Sequence, residues 1–172
     1  PTSGTLPLFL TSEAIVEQDL RDEGAARARH VVHVLPFDDV RLQDVVRTLV
    51  ERYATEEDAE PITELKLLVL VPTAAEAAHL AATVNEGLDP SSPLLVPVTD
   101  ALRGARRLEA SAVAAITTPD LAQALVRKSL LKLDTLATVA CLELDVLIAQ
   151  MSSALEGVMG ELPKGTESVA ST

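Results

Sequence analysis

The chain has 172 residues and a formal net charge of −12, with 48% hydrophobic residues, 2% aromatic residues and no Trp. That length holds one domain with a sizeable core rather than two. The acid excess opposes nucleic-acid phosphates, whose binding rests on Lys and Arg, and leaves RNA contact to a local basic patch or a partner protein.

Residues 1–10 (PTSGTLPLFL) lack the basic start of a secretory signal. No run approaches the ~18 uncharged apolar residues that span a bilayer. The chain's ends, at Pro1 and in SVAST, read as those of a fragment or processed product. Strand-sized apolar runs follow at 30–37 (HVVHVLPF), 65–73 (LKLLVLVPT), 93–99 (PLLVPVT), 112–119 (AVAAITTP) and 136–144 (LATVACLEL). Helical spacing occupies 39–53, 74–88, 103–111, 119–133 and 146–162, with 103–111 the poorest in apolar residues. In the first of these, Val40, Val45, Val46, Leu49 and Val50 share one face, while Arg41, Arg47 and Glu51 are placed toward water. The acidic segment 53–64 (YATEEDAEPITE) predicts a solvated loop. Strands alternating with helices predict an α/β fold, a doubly wound and mainly parallel sheet flanked by helices, in one domain over 1–172. A core of Leu, Val, Ala and Ile suits that architecture.

Ligands of such a sheet bind outside the carboxyl ends of the strands. The residues there are Pro72 and Thr73, Thr118 and Pro119, and the acids Glu143 and Asp145, which interrupt the apolar run VACLELDVLI. Each has a plain structural reading too: threonines before helices are N-caps, and acids at a helix start complement its dipole. The single cysteine, Cys141, excludes a disulfide framework and reads as a small buried hydrophobe, which makes an intracellular compartment the expectation; cytoplasm, nucleolus and mitochondrion stay open. His30, His33 and His79 have no metal-ligand spacing, so no metal is expected. Arg103, Arg106 and Arg107, with Arg127, Lys128 and Lys132, form the candidate surface for an anionic partner, against the alternative of a solvated helix face. No G-x-S-x-G, H-E-x-x-H or C-x-x-C occurs, which removes hydrolase and zinc readings.

The three strand ends resemble, in order and spacing, the first RecA-like lobe of DEAD-box RNA helicases. VLVPTAAEAAHLA resembles that family's P-T-x-E-L-A, AAITTPDLAQAL its T-P-G-R, and VACLELDVLI its D-E-A-D, with Leu142 lying 24 positions after Thr118. PTSGTLPLFL at 1–10 resembles a damaged T-G-S-G-K-T, leaving Ser3, Gly4 and Thr5 as vestigial nucleotide-loop residues, and ELPKGTESVAST at 161–172 resembles the approach to S-A-T. The resemblance then covers the whole chain, with an insertion or loop at 20–38. It implies a three-layer, P-loop NTPase-like domain.

The departures from that pattern concern chemistry. A nucleotide loop needs glycines, a lysine and a magnesium-binding hydroxyl; PTSGT offers one glycine and no lysine. The family's metal-serving Asp is Leu142 here, while Glu143 and Asp145 remain as vestigial acids. The family's RNA-holding residues after P-T and T-P are Ala74, Ala75, Asp120 and Leu121. The resemblance therefore implies an inactive helicase-like domain without ATP or magnesium, acting as a structural or assembly component among protein partners in a larger complex. A ribonucleoprotein such as a ribosome or its precursor is the expected setting, with indirect RNA contact and no membrane. The alternatives are a divergent fragment of an active ATP-dependent RNA helicase, for which ATP and magnesium would apply, and an unrelated acidic α/β protein-interaction module.

Overall fold

The computed structural model describes residues 30–33, 39–109 and 112–171. In chain order these form β1 (His30–His33), α1 (Asp39–Glu51), β2 (Leu67–Leu70), α2 (Ala74–Glu86), β3 (Leu95–Pro97), α3 (Ala101–Glu109), β4 (Ala114–Thr117), α4 (Pro119–Arg127), β5 (Thr138–Cys141), α5 (Leu144–Gly160) and β6 (Glu167–Ser171). The six strands make one sheet in the order β1-β6-β5-β2-β4-β3, and every pairing is parallel.

The core divides by strand parity, because successive side chains on a strand point to opposite faces. Leu67, Val69 and Val71 turn to the face covered by α1 and α2, with Val46, Leu49, Ala77 and Val84 above them. Leu68 and Leu70 turn to the other face, covered by α4 and α5 through Ala122, Leu125, Leu147 and Val158. Both faces of β2 are fully buried, which is why LKLLVLV reads as continuous rather than alternating. Each fully buried Leu or Ile there contributes roughly 1.5–3 kcal/mol.

The elements are shorter than their apolar patterns. The fourth predicted helix, 119–133, ends at Arg127 because Ser129 takes a left-handed backbone (φ 58). Its N–H donates to the Val126 carbonyl at 3.0 Å and that of Leu130 donates to Leu125 at 2.9 Å, the paired bonds of a Schellman stop. Helix α3 starts at Ala101 rather than 103, and α5 starts at Leu144 rather than 146, with a kink at Met151. Val40, assigned to the buried face of α1, is 61% exposed. Arg47, assigned to water, is half-buried; its Nη1 donates to Asp44 Oδ1 at 3.0 Å. Strand β1 claims part of the span 20–38 read as an insertion, and β6 adds a strand that no apolar run announced.

The outer edge of β3 is closed by side chains. Asn85 of α2 accepts from the Leu95 N–H at 2.8 Å and donates to the Leu95 carbonyl at 3.0 Å. Pro97 has no N–H to offer, and its carbonyl accepts from Arg107 Nη1 at 3.4 Å. At the amino-terminal edge, Arg52 Nη1 donates to Glu167 Oε2 at 2.6 Å and lies 3.5 Å from Thr138 Oγ1, which is 2.7 Å from the Tyr53 hydroxyl. Tyr53, at the start of the predicted loop 53–64, is thus a half-buried anchor rather than a solvated residue.

Candidate functional site at the carboxyl edge of the sheet

Three strand-to-helix junctions place the predicted residues along one edge. Thr73 is the N-cap of α2, its Oγ1 accepting from the Glu76 N–H at 3.2 Å. Thr118 is the N-cap of α4, accepting from the Leu121 N–H at 3.4 Å with Pro119 just inside the helix. In both cases the threonine oxygen already satisfies a helix N–H that would otherwise lack a partner.

Glu143 enters α5 with a left-handed backbone (φ 52, ψ 53), and its side chain makes no capping bond. Its backbone N–H donates to Ser171 Oγ at 3.2 Å, tying the end of β5 to the end of β6. Asp145 is exposed in the first turn of α5. Leu142, just before this bend, is 2% exposed and belongs to the core under α1 and α2. Its N–H donates to the Leu70 carbonyl at 3.0 Å, so it continues the sheet pairing one residue past the strand.

A cleft of about 70 Å³ opens at this edge, lined among others by Leu42 of α1, Val71, Glu76 and His79 of α2, Leu142 and Glu143. The sequence reading did not bring Glu76 or His79 here; their spacing of three on α2, directly after Pro72-Thr73, was the available signal. Among the described residues, the lining holds two carboxylates and no Lys or Arg. Its volume holds a water or two, whereas small-molecule sites typically enclose about 300–1,000 Å³. Grooves of about 570 and 530 Å³ lie at the opposite, amino-terminal edge, along Leu108, Leu131, Lys132 and Asp134. Among the described residues, no group of three or more His, Cys, Asp or Glu is placed to hold a metal ion.

Cys141 is buried beneath this edge, and burial pushes its thiol up to about 11. The predicted basic residues lie elsewhere: Arg103, Arg106 and Arg107 are all exposed on α3, and Arg127 and Lys128 are exposed at the end of α4. The structure does not bring the arginines of α3 together with Glu143 or its cleft. Ser3, Gly4 and Thr5 lie outside the described residues.

A six-stranded parallel sheet between two helical layers, with three strand-to-helix junctions aligned on its carboxyl edge, defines a RecA-like α/β domain. Among solved structures the chain is similar to a DEAD box protein from the hyperthermophile Methanococcus jannaschii, with a TM-score of 0.70 and 14% identity over 92% of this chain and 42% of that one. It is also similar to a Saccharomyces cerevisiae Dbp5 variant bound to Gle1 and IP6, at TM-score 0.64 and 16% identity over 84% of this chain and 36% of that one. A further Dbp5 complex, with Nup159, Gle1, IP6 and ADP, gives 0.64 and 14% over 94% of this chain and 41% of that one. The chain thus spans 36% to 42% of the length of these structures, and identity this low carries the fold alone. No family model and no curated protein matches the sequence. No helix among the described residues is long and apolar enough to cross a membrane.

Proposed function

We propose that the chain is a RecA-like lobe of DEAD-box-helicase ancestry that has no ATPase activity and serves as a structural or assembly component of a larger complex. The observation that carries this reading is Leu142, a 2% exposed leucine where the motif resemblance places a metal-serving Asp. A buried leucine offers no oxygen to magnesium, whose ligands are oxygens. The neighbouring cleft, as the described residues line it, is smaller than small-molecule sites usually are, and Glu76 and Glu143 would repel phosphate oxygens. The described residues therefore do not fit ATP and magnesium.

Use of the fold as a docking body has a parallel in the two Dbp5 structures, both complexes with the protein Gle1 and one of them also with Nup159. A ribonucleoprotein setting inside the cell, such as a ribosome or its precursor, follows by analogy with where DEAD-box proteins act. The similarity of fold weakens the reading as an unrelated α/β module with chance motifs. A divergent piece of an active RNA helicase is the second reading, favoured by the chain's 36% to 42% span of its structural neighbours. Calorimetric titration of the chain with ATP and magnesium separates the two. The first predicts no magnesium-dependent binding, and micromolar binding would overturn it.

A further inference from the structure

The three arginines of α3 differ from the rest of this acidic surface. On a helix of 3.6 residues per turn, Ala101, Gly104, Ala105 and Leu108 fall on one side, and all are buried or half-buried. Gly104 lets that side approach closely, because a Cβ there would collide with Val98 Cγ1. The opposite side carries Leu102, Arg103, Arg106 and Arg107, all exposed, with Leu102 at 81%.

Arg103 and Arg106 make no hydrogen bond or ion pair among the described residues, and Arg107 reaches only the Pro97 carbonyl. The chain holds 26 acidic residues against 14 basic ones, yet no acid among the described residues is paired with these guanidinium groups. Arginine's planar fork suits bidentate capture of carboxylates and phosphates better than lysine does. Arginine is enriched at interface cores and among hot spots, and the exposed Leu102 adds apolar area to the same face.

We infer that the outer face of α3 docks an acidic, amphipathic helical segment of a partner protein, with carboxylates on Arg103 and Arg106 and an apolar side chain on Leu102. Two observations favour a protein over RNA. Single-stranded RNA binds through base stacking on aromatic side chains as well as phosphate contacts, and Tyr53, the one Phe, Tyr or Trp among the described residues, is half-buried at the amino edge, away from α3. A net charge of −12 also repels a long polyanion over a Debye length of about 8–10 Å, and penalises a short acidic segment less.

This names the docking face of the assembly role and rests on that reading, but its test is separate. A labelled helical peptide with glutamates beside a leucine on one face is titrated by fluorescence anisotropy against the full chain, with single-stranded oligouridine in parallel. The expected result is saturable peptide binding that weakens with salt. Affinity falls about tenfold in Arg103→Glu/Arg106→Glu and several-fold in Leu102→Ala. Circular dichroism of these surface variants should match the parent. No saturable peptide binding, or peptide binding indifferent to the charge reversal, overturns the inference; so does oligouridine binding through the same arginines more tightly than the peptide. ATP binding by the chain would overturn only its catalytic silence and leave this face to stand or fall here.

Discussion

Leu142 shows how one side chain can change what a strand end can do. An aspartate there would face Val71, Leu80 and Leu42, with Glu143 beside it. Placing the resembled motif's acid here by Leu142→Asp should remove a buried side chain and bury a carboxylate, costing about 4 kcal/mol and lowering Tm on the order of 10 °C. Magnesium should not recover the loss, because no metal-holding group of acids lies among the described residues. A variant with unchanged Tm, or one stabilised by magnesium, would show that the cleft still accepts a metal. Glu143 and Asp145 stood out in the sequence because acids in an apolar run are expensive. In the structure the cost is avoided locally: Asp145 is exposed and Glu143 is only half-buried at the bend.

Among the elements, α1 is fastened at its carboxyl end as well as by its apolar stripe. Arg52 and Glu167 are 15% and 13% exposed, and Glu167 Oε1 has no partner of its own. Removing one member leaves a largely desolvated charge, so Arg52→Ala should cost about 3 kcal/mol in urea unfolding. The double change Arg52→Met/Glu167→Leu should recover most of that, because it leaves no buried charge unpaired. If the double variant is as unstable as the single one, the ion pair itself and not desolvation dominates. None of this was legible in the sequence, since the partners are 115 positions apart and no local period relates them. The strands were legible where both faces are buried, as in LLVL at β2. Strand β6 was not, because Glu167 and Ser168 are only half-buried and dilute its apolar signal.

For the whole molecule, two titrating groups among the described residues, the half-buried Tyr53 and the buried Cys141, weaken it toward alkali. Burial raises both the Tyr53 phenol and the Cys141 thiol, the latter from 9.0 to about 11. A raised pKa means that the folded state favours the protonated form. Its contribution is complete below the unfolded value and fades as pH climbs through the folded one. Stability should therefore hold to about pH 9 and decline toward pH 11. Urea unfolding across that range measures the decline, and ultraviolet difference titration of the single tyrosine follows the phenol separately. Constant stability throughout would mean that neither group is desolvated in solution. At this scale the sequence was most informative: alternating runs gave the layered fold, and the strand-end motifs gave the edge to inspect. The cleft's small volume was not legible, because it depends on α1 and α2 converging over Leu142.

The closed border at β3 has a meaning beyond local bonding. A bare outer strand is a template onto which another chain's backbone can hydrogen-bond, whether for assembly or for fibre growth. With Leu95 held by Asn85, and Pro97 offering no donor, that template is capped on this flank. Lateral extension of the sheet beyond β3 is therefore blocked, and a neighbour on this side must recognise side chains rather than backbone. Those side chains are the arginines and the leucine on the adjoining helix, so recognition here depends on sequence where an open strand would accept any extended chain.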